Sequence, residues 1–130
     1  MDSILDSTKK VLGIDPAYTA FDVDVIMHIN STFSKLHQLG IGPTEGFIIE
    51  DNTAVWIDFL GDLAPTLSSV QSFMYLSVRL LFDPPATSYA IAAFERQLDE
   101  LGWRINARRE EVEHPWVAPV IPEDPEEPVW

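Results

Sequence analysis

The sequence predicts an all-α fold, a small bundle of four to five helices followed by an extended, proline-rich C-terminal arm. Three observations carry that expectation. Apolar residues recur at steps of three and four along residues 22–39 and 87–109, the period that lays one stripe down a helix. Glycine or an Asp-Pro pair follows each expected helix except the last, a common way for helices to end. After Glu113 the composition changes abruptly, dividing the 130 residues into a body, 1–113, and an arm, 114–130.

The first helix is expected from about Asp2 to Leu12, with Ser3 as its N-cap and Gly13 in the left-handed position beyond its end. Its apolar face, Ile4, Leu5, Val11 and Leu12, is thin and needs a neighbour. Asp15-Pro16 forces a turn. The second helix is expected over Asp22–Leu39, with Ile26, Ile29, Phe33 and Leu36 on one stripe and Asp22 and Asp24 near the positive end of its dipole. Gly40 ends it.

Residues 40–50 hold three of the six glycines and read as a loop, in which Phe47-Ile48-Ile49 has the character of a short strand. A short helix follows over about Thr53–Leu60, with Trp56 and Phe59 three apart and directed at the core. From Thr66 to Phe82 the chain is apolar nearly all round, the mark of a central, buried helix. Asp83-Pro84-Pro85 stops it. The last helix is expected over Thr87–Arg109, where Ile91, Phe94, Leu98, Leu101 and Ile105 form the buried stripe and Glu100 and Arg104 an i, i+4 pair. Gly102 lies inside it at a cost of about 1 kcal/mol relative to alanine, which points to close packing there.

Five of the 17 residues of the arm are proline, three or four apart. Each removes a donor and biases the residue before it to extended backbone, so the arm reads as a polyproline-like strap. Acidic tails that merely solvate are poor in aromatic and branched residues. This one carries Trp116, Val117, Val120, Ile121, Val129 and Trp130, and tryptophan is enriched where partners bind. Docking is therefore the favoured reading of the arm.

Charge narrows the classes of function. The net charge is −13, from 21 acidic and 8 basic residues. Seventeen of the acids and all the bases fall in 1–113, and the arm has four acids and no base. Such a chain repels a polyanion, because affinity for nucleic acid comes mainly from neutralising phosphates. The one basic cluster, Arg104, Arg108 and Arg109, is followed at once by Glu110, Glu111 and Glu113. The absence of cysteine excludes disulfides, thiolate metal sites and thiol catalysis. The N-terminus has no secretory pattern, and the longest apolar stretch is about half a membrane span, so a soluble, cytoplasmically made protein is expected.

The residues of catalysis do not assemble on paper. His28 and His37 are nine apart on one helix, not the i, i+4 spacing that brings two imidazoles to one metal. No phosphate-binding, nucleophile-elbow or zinc-protease motif occurs. Asp22 and Asp24 are explained by capping, Asp58 and Asp62 by a solvated face, and Arg79 by a long stem that carries its charge to the surface. No catalytic residue, no metal ligand and no cofactor is expected.

Three stretches resemble a known family. Ser3–Ile14, Tyr18-Thr19-Ala20-Phe21-Asp22 and Val78-Arg79-Leu80-Leu81-Phe82-Asp83-Pro84-Pro85 look like the head-to-tail connector (adaptor) proteins of long-tailed bacteriophages. The likeness spans the helical body and rests on the order of elements. It implies a structural virion protein of the neck, assembled in the host bacterial cytoplasm, whose copies (usually twelve) join as a homo-oligomeric ring. Its implied partners are the portal protein, neighbouring copies and a tail-side connector protein, with DNA passing through the channel without specific binding and no membrane involved. The resemblance makes the arm a portal-docking strap through Pro115, Trp116, Val117, Val120, Ile121, Val129 and Trp130, with the two tryptophans as anchors. It makes the loop residues Ile41, Pro43, Phe47 and Ile48 a contact with a neighbouring copy or the tail side. Two other readings stay open: a monomeric binding module or assembly chaperone that captures one protein partner, and an acidic helical mimic of DNA.

Overall fold

The computed structural model describes residues 3–61 and 67–113 and consists of five helices: α1 (Ile4–Val11), α2 (Asp22–Gln38), α3 (Trp56–Leu60), α4 (Leu67–Phe82) and α5 (Ser88–Glu113). Among the described residues there is no strand beyond an isolated antiparallel bridge between Ser3 and Val55. Asp2, Asp62, Thr66 and the whole arm, on which sequence expectations fell, lie outside the described residues.

The ends of the helices follow local chemistry. The Asp6 amide donates to Ser3 Oγ at 3.3 Å, the N-cap bond expected of α1. Gly13, at φ 80°, ends that helix, and the Ile14 amide closes onto Lys9 O at 2.9 Å. Thr87 caps α5, its hydroxyl accepting from the Ala90 amide at 3.1 Å. The last helix outruns the expected end at Arg109 and continues to Glu113. Arg108–Glu111 and Arg109–Glu110 pairs border those extra residues.

Helix α4 is the hub, but it is buried on one face and not all round: Leu81 is 45% exposed, and Ser68 and Ser72 face outward. It packs antiparallel to α2, with Phe82 against Phe21 and Lys35 reaching Ser77, and antiparallel to α5, where Phe73 approaches Gly102. Val70, Phe73, Met74, Ser77 and Val78 are buried on it. The buried face of α2 is Val25, Ile29, Thr32, Phe33 and Leu36, with Ile26 half-buried. The stripe thus sits slightly further round the helix than a count of isoleucines suggests. Val25, one position before Ile26, is the fully buried member of that turn.

Helix α3 begins at Trp56, three residues later than the periodicity implies, because Asp58 accepts from the Val55 amide at 3.0 Å and fixes the start there. Trp56 is fully buried, and its indole N–H donates to Ser7 Oγ at 3.1 Å, so the one polar atom of the ring has a partner. Phe33, Phe47 and Phe59 form a cluster with ring centroids 4.5–5.2 Å apart. Gly42 is required beside it. At φ 93° a Cβ there would stand 2.4 Å from Phe59 Cε1.

Candidate interaction surfaces

Three surface features stand out, and the first two are built by side chains that hold backbone in place. At the corner between α1 and α2, the Lys9 side chain is sealed in, with 1% exposure. Its ammonium donates to Pro16 O at 3.0 Å and Tyr18 O at 2.6 Å, and lies 2.7 Å from Asp22 Oδ1. That last contact is an ion pair without hydrogen-bond alignment. A buried charge costs several kcal/mol unless it is paired. Here it binds the turn at residues 16–22 to the body. Tyr18 and Phe21 project from the turn, half exposed, with their rings 5.7 Å apart, and Phe21 meets Phe82 edge-on at 5.6 Å. Val23 and Met27 are exposed on the adjoining turns of α2.

The second feature is the loop after α2. Its Phe47-Ile48-Ile49 run does not become a strand. Instead the Asn30 side chain takes the place of a partner strand: its amide donates to Ile49 O at 3.0 Å, and the Ile49 amide donates to Asn30 Oδ1 at 2.8 Å. The run has β character but no neighbouring strand, and an asparagine amide presents the same donor and acceptor pair as a peptide. His37 Nε2 contacts Thr44 O at 3.0 Å near the loop's other end.

Of the loop residues singled out in the sequence, Ile41 is buried in the core, Phe47 stacks on Phe33 and Phe59, and Pro43 is half-buried. Ile48 alone of the four stands out, at 66% exposure. Four acids, Glu45, Glu50, Asp51 and Asp58, and no base lie along the described residues of the loop and α3. Hydrogen bonds from the Thr53 hydroxyl and then the Thr53 amide hold Asp51 below the ordinary carboxylate range.

The third feature is the outward side of α5, opposite its buried Ile105. Tyr89 and Trp103 are exposed there, two heptads apart and so on one stripe. Arg104 and Glu100 pair between them, as expected from the sequence, at the surface where such pairs add little. Arg79 does reach the surface and binds the Asp83 carbonyl at 2.7 Å. The arm residues Pro115, Trp116, Val117, Val120, Ile121, Val129 and Trp130 lie outside the described residues.

Lys9, Asn30 and the Tyr18–Phe21 pair were not singled out for such roles from the sequence. Lys9 carried a usable signal: it stands four residues after Leu5, on the buried side of α1. Asn30 carried none, since its partner is 19 residues away across a loop. Among the described residues no cluster of three or more His, Asp or Glu is arranged to hold a metal ion, and no helix is long and apolar enough to cross a membrane.

Comparison with known proteins gives one match. A family model described as phage connector protein matches residues 4–112, which is all five helices but the final residue of α5. No curated protein and no solved structure matches the chain.

Proposed function

The chain belongs to the phage connector protein family, and from that premise we propose that it is a structural, non-catalytic head-to-tail adaptor of the virion neck. Copies form a ring between the portal protein and a tail-side connector, and genomic DNA passes through the middle without being held. The match over residues 4–112 carries this reading, because it covers the body as a whole and not one motif.

Two further observations support it. A net charge of −13 suits a wall that a polyanion must slide past. Large apolar residues stand exposed on separate elements, Val23 and Met27 on α2, Ile48 in the loop and Tyr89 and Trp103 on α5, as expected of a subunit with neighbours on several sides. In this reading Ile48 with its acidic surround meets a neighbouring copy or the tail-side protein. The arm is the strap on the portal, through Pro115, Trp116, Val117, Val120, Ile121, Val129 and Trp130, with Trp116 and Trp130 as its anchors.

Imaging of purified particles tests it. Density for this protein as a ring beneath the portal vertex is the expected result, together with unjoined heads and tails when the protein is withheld. A protein needed for assembly but missing from finished particles would point instead to an assembly chaperone.

A further inference from the structure

The Tyr18–Phe21 corner borders a groove of about 540 Å³ lined by Gly13, Ile14, Asp15, Ala17, Tyr18 and Phe21. Lys9 holds the turn that carries it, donating from inside the body to the carbonyls of Pro16 and of the lining residue Tyr18. A shallow, aromatic-lined groove on preorganised backbone is the kind of site that takes a polyproline segment, because the ligand is already extended and loses little entropy on docking.

The chain carries such a segment. In the near half of the arm, Pro119 and Pro122 are three apart, the repeat of a polyproline helix, and Pro115 stands four before them. The near half, Pro115–Pro122, is uncharged and holds Trp116, Val117, Val120 and Ile121, and the acids begin only at Glu123. Asp15, Asp24 and Asp83 lie at or near the corner. The near half therefore fits this groove and the acidic half does not.

Reach decides whose arm it is. Phe82, where α4 ends, packs on Phe21, so the groove lies at the end of the body where α5 begins. Phe73 lies against Gly102, so with the two helices antiparallel Phe82 stands nine residues from that contact and Glu113 eleven on the other side, about 30 Å apart at 1.5 Å per residue. Pro115 and Trp116 are two and three residues beyond Glu113, within about 10 Å of it even at 3.1 Å per residue. The near half as a whole cannot lie in its own groove. We propose that the groove receives residues Pro115–Pro122 from a second copy of this chain, stitching neighbours head to tail. The inference rests on the ring reading and reassigns the arm's near half, Trp116 included, from the portal to a neighbouring copy, leaving Trp130 for the portal.

The chain has no cysteine, which makes the test direct. The full-length double variant Ala17→Cys, Ala118→Cys is assembled into particles and treated with a short bismaleimide, then run on a denaturing gel. A ladder of covalent multimers is expected. Adding Tyr18→Ser or Phe21→Ser should reduce the ladder at least about tenfold, the effect of losing about 1.4 kcal/mol of contact. Linkage confined to single chains, or a ladder indifferent to both aromatic substitutions, overturns the proposal. If cysteine at 17 blocks assembly, Ala20→Cys, exposed beside Phe21, replaces it. Particles that assemble normally without a ladder sink this inference and leave the ring standing. One copy per particle sinks the ring itself.

Discussion

Lys9 and Asp22 meet at 2.7 Å across the corner between α1 and α2, and the lysine does so from inside the body. The aspartate is a quarter exposed, so the pair reaches from the core to the surface. Lysine is among the residues least often buried. What it secures is the course of the chain between two helices, through the Pro16 and Tyr18 carbonyls as well as the carboxylate. Replacing Lys9 with Met keeps the bulk and removes the charge, leaving the Pro16 and Tyr18 carbonyls without their donor and Asp22 without its counter-charge. The expected loss is about 3–5 kcal/mol, read as a lower urea midpoint. Asp22→Asn leaves the two carbonyl bonds in place and should cost less, about 1–3 kcal/mol.

Two glycines should respond in opposite directions to alanine. At Gly42 the new methyl would run into Phe59 at 2.4 Å from backbone at φ 93°, and strain and overpacking together should cost about 2–4 kcal/mol. At Gly102, inside α5, the methyl would meet Leu39 and Phe73 at 3.7 Å, ordinary contact. Gly102→Ala should raise stability by about 1 kcal/mol. Paired thermal melts of the two variants show whether the signs differ.

The Asn30 clamp should be visible in hydrogen exchange. Asn30→Asp can still accept from the Ile49 amide but sets a carboxylate against the Ile49 carbonyl. Exchange at Ile49 is expected to quicken by about tenfold or more, equivalent to about 1.4 kcal/mol of local opening, while amides of α4 keep their protection.

Deleting residues 114–130 should leave helical content and melting close to those of the full chain while abolishing incorporation into particles. Circular dichroism and a particle pull-down report the two halves of that expectation. A truncated body that unfolds would show that the arm packs on its own domain.

What the sequence makes legible is whatever is decided within a turn or two. Ser3 before Ile4, Gly13 after Leu12 and Pro84-Pro85 after Phe82 mark helix limits because capping and chain-breaking act locally. Trp56 and Phe59 are readable as core because two large aromatic residues three apart share one face of a short helix. The clamps are not readable in that way. Lys9 finds Asp22 only because two helices meet, and Asn30 finds Ile49 only because a loop folds back along α2. The Phe47–Ile49 run shows the limit most clearly: its residues favour extended backbone, but a strand also needs a partner, and nothing near it in sequence supplies one. Among the interaction residues, burial of Ile41 and Phe47 was equally hidden, since a loop apolar residue looks the same whether it turns inward or out.

The length of α5 has a mechanical consequence. It is 26 residues long against 16 for α4, to which it lies antiparallel, and the arm is rooted at its far end. In the proposed adaptor role, tension applied at Glu113 along the axis of α5 would load its seam with α4 in shear, with Ile105, Leu101 and Leu98 resisting together, instead of peeling it open one residue at a time. A joint loaded in that way holds until it fails as a whole.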